Sequence, residues 1–158
     1  MKEDSLSSAS KNLIELMGKG TYILLMNLKE PRKIKIGKLN IMHFQPGNYL
    51  YVGSAQRGFG ARITRYLRKN KKLFWHIDYF LTEAEIKEIW IKEGRKVECE
   101  IAEKIKNDSE YSFSPVKGFG SSDCKCLSHL FYFNGKLSDL ENLREKLKFK
   151  KFETNEKF

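Results

Sequence analysis

The chain is poor in cysteine and proline, with three of each in 158 residues, and has no apolar run near the ~20 residues that span a bilayer. An odd, sparse set of Cys99, Cys124 and Cys126 is not a disulfide framework and points to a reducing compartment. So little proline beside 32% charged and 41% hydrophobic residues excludes a low-complexity chain. The start Met1-Lys2-Glu3-Asp4-Ser5 lacks the basic-then-apolar layout of a secretory signal. These absences predict a soluble, cytoplasmic protein without a membrane partner, and the length suits one compact domain.

Positive charge is in excess: 30 Lys plus Arg against 20 Asp plus Glu give +10 and a pI near 9.5. Seven basic residues and no acidic one fall between Arg57 and Lys72, whereas the segment from Lys136 onward mixes both signs as a solvated helix does. A basic helix beside Tyr66, Phe74 and Trp75 is the footprint of a phosphate-backbone site, and the alternative is a solvated face. Position favours the former. Gly53, Gly58 and Gly60 make the entry to the helix close-fitting, and its first N–H groups add positive potential. No Gly-Lys-Ser/Thr ending follows, which excludes a nucleotide P-loop. Nucleic acid is therefore the expected partner, with Arg57, Arg65, Arg68, Lys69, Lys71, Lys72 and His76 as candidate contacts. A structural role for His76 is the alternative.

Hydrophobic periodicity predicts a helical arm over residues 1–19, a domain over 20–134, and a C-terminal helix with a frayed tail over 135–158. The run Tyr22 to Met26 reads as a buried strand, Lys33 to Ile36 and Asn48 to Gly53 as two more, and Ile86 to Ile91 and Ser128 to Phe133 as later ones. Ile63, Tyr66 and Leu67 mark a helix between Gly60 and Lys69, and a short helix is expected over residues 74–81. In the helix predicted over Val97 to Ile105, a 100° wheel places Glu98 on the apolar face and turns Glu100 and Glu103 away. An inward carboxylate is costly unless paired or metal-bound, which singles out Glu98. Residues 106–120 read as a loop.

Gly20-Thr21-Tyr22 opening a strand, Tyr51-Val52-Gly53 closing another, Arg62 in the next helix and a later helical acid together resemble the GIY-YIG nuclease superfamily. Residues 20–133 further resemble a less characterised branch sometimes fused to DNA base-excision enzymes. The matching pieces are Gly47 to Ala55, Trp75-His76-Ile77-Asp78-Tyr79, Glu98-Cys99-Glu100 and Gly118 to Leu130. The resemblance implies a small α/β (α+β) domain with a three-stranded, mainly antiparallel sheet flanked by helices. It also implies a divalent-metal-dependent endonuclease that uses a single Mg²⁺ or Mn²⁺. Tyr22 and Tyr51 would be its motif tyrosines, one positioning or deprotonating the attacking water, Arg62 would bind the scissile phosphate and Glu98 would hold the metal. A tyrosine with an ordinary pKa near 10 is a poor base, so adjacent cations are expected to lower it. Thr21 stands where the motif has isoleucine, an exchange of β-branched residues, and Tyr66 stands where many members have histidine. If that histidine moves protons, Tyr22 or His76 must supply the function here.

Two other readings stay open. One is a nucleic-acid-binding module that keeps the fold without hydrolysis. The other is a zinc-dependent interaction domain built on Cys124, Cys126 and His129, because thiolates and imidazole at short spacing are zinc ligands. The fourth ligand could be Cys99, His43, His76 or an aspartate. Against zinc stands a turn in which Gly118, Gly120 and Ser121-Ser122-Asp123 make backbone bonds.

Overall fold

A computed structural model describes residues 18–68, 71–111 and 113–152. The helical arm expected over residues 1–19 falls almost wholly outside them, as do Lys69 and residues 153–158. β1 (Gly20–Leu28) is the apolar run seen in the sequence, and it is buried on both sides because it lies inside a sheet between β4 (Gly47–Ala55) and β5 (Glu85–Glu93). Both pairings are antiparallel and set Tyr22 opposite Gly53 on one side and Ile91 on the other. Between β1 and β4 the alternating residues fold back as a separate hairpin, β2 (Arg32–Lys35) with β3 (Ile41–Phe44).

The main sheet has six strands, not three. β7 (Leu130–Phe133) pairs with β4, β6 (Phe113–Pro115) extends that edge, and β8 (Lys150–Lys151) pairs with β5 at the other edge, in the order β6-β7-β4-β1-β5-β8. β7 is the strand expected over Ser128 to Phe133, whereas β6 and β8 have three and two residues, too few for a period of two to register in sequence. β6 lies in the stretch expected to be a loop. The α+β class and the helix-flanked antiparallel sheet stand as expected.

Alternation along the strands sends two sets of side chains to opposite faces. Tyr22, Leu24, Met26, Tyr49 and Ile89 face α1 (Phe59–Leu67), α2 (His76–Phe80) and the hairpin, where Phe59, Ile63 and Phe80 meet them. Ile23, Leu25, Leu50, Val52 and Trp90 face α3 (Glu98–Lys106) and α4 (Leu137–Lys146), which contribute Ile101, Ile105, Leu140 and Leu143. Leu147 and Phe149 continue this second core past α4. No helix among the described residues is long and apolar enough to cross a membrane.

Candidate active-site groove

The motif tyrosines meet because β1 and β4 run side by side. Tyr22 and Tyr51 project to the same face with ring centroids 6.4 Å apart. A Cβ on Gly53 would collide with the hydroxyl end of Tyr22, so the glycine of Tyr51-Val52-Gly53 is the space that lets this ring lie across β4. From α1, Tyr66 brings its ring to 5.8 Å from that of Tyr22, and the two hydroxyls share a hydrogen bond. Tyr66, which in sequence was only a departure from the motif, is thus part of the tyrosine cluster.

One turn before Tyr66, Arg62 lays its guanidinium 3.9 Å from the centroid of the Trp75 ring. This cation–π contact holds a planar donor fork at the groove wall. Arg65 was expected on the nucleic-acid interface, but it packs 4.1 Å from the same ring and pairs with the fully buried Asp78. Asp78 also accepts the backbone N–H groups of Phe74 (3.0 Å) and Trp75 (2.8 Å), so this carboxylate starts α2 and ties it to α1. Arg65 is a fastening residue for that reason. Arg68, Lys71 and Lys72 sit at the end of α1 and beyond it, outside the groove lining, whereas Arg57 and His76 line it. Phe74 is 72% exposed at the groove edge.

Glu98 enters from the first turn of α3. Its side chain is 17% exposed and pairs with Lys96 Nζ at 3.0 Å, while Glu100 and Arg95 pair in solvent. The N-terminus of α3 is fastened where the Val97 N–H donates to the buried Thr21 Oγ1 at 3.1 Å. Thr21 is therefore more than a β-branched stand-in for isoleucine, which has no acceptor for this bond. Tyr22, Tyr51, Arg62 and Glu98, from four elements spread over 77 residues of sequence, line one open groove of about 1310 Å³. Lys38, Lys96 and Ser121 line it too; they lie in loops where no periodic signal could have pointed to them. The oxygen donors that line the groove, the Glu98 and Asp123 carboxylates and the phenolic hydroxyls, suit a hard cation such as Mg²⁺ or Mn²⁺ that keeps most of its waters.

Burial raises the Tyr22 pKa from 10.0 to about 12, outweighing the Tyr66 hydrogen bond and the Arg62 charge that lower it. Tyr51 and Tyr66 are likewise pushed well above 10.0 by burial. The expected cationic lowering is thus not met by the chain's own side chains, and at neutral pH all three are hydroxyls. Burial lowers the His76 pKa, favouring the neutral ring, and its Nδ1 accepts the Gly120 N–H at 2.8 Å, which leaves the proton on Nε2. His76 in that state latches the 118–123 loop and has no lone pair left to take a proton. A raised folded-state pKa adds stability that is complete below the unfolded value and disappears as pH climbs through the folded one. Stability should therefore fall between pH 10 and about 12, the interval set by Tyr22, with phenolate absorbance rising together with loss of circular dichroism. Phenolate formation complete at pH 10.5 in a still-folded chain would contradict the burial account.

Next to Glu98 in the chain, Cys99 gathers with Cys124, Cys126 and His129, their ligand atoms within 4.8 Å of one another, and His129 also lines the groove. Of the candidates for a fourth ligand, the fold selects Cys99. His43 is exposed on β3 and His76 is bound to the 118–123 loop.

A family model described as a domain of unknown function, DUF123, matches residues 21–151. No curated protein and no solved structure matches the chain.

Proposed function

The chain belongs to the DUF123 family, and we propose that its groove is the active site of a divalent-metal-dependent endonuclease of the GIY-YIG kind, acting on DNA in repair or processing. The observation that carries this reading is the convergence of Tyr22, Tyr51, Arg62 and Glu98 in one groove. Cutting a phosphodiester builds negative charge on the phosphoryl oxygens and on the leaving alkoxide. Arg62, fixed on Trp75, offers two parallel N–H donors to the phosphate. The Tyr22 hydroxyl, bonded to Tyr66, orients the attacking water as a neutral hydrogen-bonding group. Glu98 would hold the Mg²⁺ or Mn²⁺, which when bound supplies Lewis acidity at the phosphate. Arg57 and Lys38 add cationic rim to the groove and suit a polyanionic strand.

One observation favours a second reading, a nucleic-acid-binding module without hydrolysis: the Lys96 ammonium already occupies the Glu98 carboxylate. The two readings separate when the purified protein meets nicked, branched and single-stranded DNA and RNA with and without added Mg²⁺ or Mn²⁺. Cutting of at least one substrate, dependent on added metal and abolished in an Arg62→Ala/Glu98→Ala variant, is the expected outcome. Salt-sensitive binding with no cutting under either metal would establish the binding module, and undiminished cutting by the double variant would remove these residues from the chemistry.

A further inference from the structure

The cluster of Cys99, Cys124, Cys126 and His129 plays no part in the groove chemistry, yet its geometry is unusually complete. Cys124 Sγ and Cys99 Sγ lie 3.4 and 3.9 Å from His129 Nε2. A tetrahedral zinc with bonds of about 2.3 Å to sulfur and about 2.0 Å to nitrogen separates its ligands by about 3.6 Å for S···N and about 3.8 Å for S···S. Both S···N separations lie within about 0.3 Å of that value, and all four ligand atoms lie within 4.8 Å of one another.

His129 is oriented for the task. Its Nδ1 lies 3.0 Å from the Val52 carbonyl oxygen, which can only accept, so Nδ1 carries the proton and the Nε2 lone pair faces the sulfurs. The ring is 3% exposed, and the backbone at His129 is bonded on both sides, N–H to the Phe119 carbonyl at 2.8 Å and carbonyl to the Val52 N–H at 2.9 Å. The loop carrying the two later cysteines is closed by Gly118 N–H on the Leu127 carbonyl, with Gly118 and Gly120 at positive φ. The turn considered as the alternative to zinc is therefore present, and it delivers ligands. Three thiols in one cluster leave one unpaired in any disulfide, whereas three thiolates and one imidazole complete a structural zinc set.

We propose that Cys99, Cys124, Cys126 and His129 bind one Zn²⁺ in a closed site that pins the first turn of α3 to β4. As each Zn–S bond forms, the thiol releases its proton to solvent, and no electron is transferred. All four positions belong to protein, so the ion holds structure and leaves no corner for substrate. Cys99 directly follows Glu98, and His129 is bonded to Val52 beside Tyr51, so the ion links the carboxylate assigned to the divalent metal to the tyrosine strand. The zinc site stands on its own geometry; its effect on Glu98 rests on the nuclease reading.

The test uses the full chain, purified without chelator or histidine tag. Elemental analysis should give about one zinc per chain, with the three thiols protected from a thiol reagent until the metal is removed. Replacement by Co²⁺ should give the intense visible absorption of a tetrahedral thiolate site. Cys124→Ser should lose the ion, and Cys99→His, which replaces a sulfur ligand by a nitrogen one, should retain it. Three reactive thiols in a folded protein free of zinc would overturn the proposal, as would full zinc occupancy in a folded Cys124→Ser variant. Zinc without cutting of any nucleic acid would leave this site standing and sink the nuclease reading. Cutting by zinc-free protein would do the reverse.

Discussion

Replacing Glu98 by glutamine is expected to slow cutting by about 10³-fold while affinity for uncut DNA stays within about twofold. Glutamine keeps the shape of the side chain at the start of α3 but removes the anionic oxygen that a hard divalent cation requires. It also releases the Lys96 ammonium from its 3.0 Å pairing at the groove wall, which offsets any loss of contact with a polyanion. Single-turnover cutting at saturating enzyme reads the first quantity, and fluorescence anisotropy without divalent metal reads the second. Arg62→Ala should behave differently, lowering both quantities and reducing the salt dependence of binding by about one phosphate contact. Glu98→Gln cutting at the unaltered rate would place the divalent metal elsewhere. A matching fall in affinity would mean that Glu98 shapes the groove and has no separate part in the chemistry.

Asp78→Ala should cost about 3–5 kcal/mol of stability, because it strands the Arg65 charge and removes the cap of α2 together. For a chain of this size that corresponds to a fall in Tm of roughly 6–20 °C. The carboxylate is fully buried and takes hydrogen bonds from Arg65 and from the N–H groups of Phe74 and Trp75. An Arg65→Met/Asp78→Ala pair should recover part of the loss, since no buried charge then lacks a partner. Thermal unfolding of the three variants gives the comparison, and a loss below about 1 kcal/mol in the single variant would show that the ion pair adds little. Loosening the start of α2 also frees Trp75, the surface on which Arg62 rests, so cutting should drop with stability.

Much of the fold could be read along the chain. The apolar runs of β1 and β5 and the 3.6-residue rhythm of α1 and α3 are local signals, and each element lies within a residue or two of its expected place. Turning Glu98 inward followed from that rhythm alone, and its side chain is indeed largely buried. The edge strands were not legible: β6 and β8 have three and two residues, and what makes them strands is the neighbour they pair with. The partner of Arg65 was not legible for a related reason. A basic residue on a basic helix looks the same in sequence whether it faces a phosphate or a buried aspartate thirteen residues later.

By itself the sequence determined the concentration of positive charge after Gly53, the order of the motif residues, and the absence of a disulfide framework or a membrane-length apolar run. Each is a property of composition or of neighbours a few residues apart. Only the tertiary structure decided that the two tyrosines, Arg62 and Glu98 share a groove, that Cys99 completes the Cys124, Cys126 and His129 set, and that Tyr22 stays a hydroxyl with its pKa raised to about 12. Those outcomes depend on which groups lose water and which partners replace it. That exchange is set by contacts between residues far apart in the chain, which no local pattern encodes.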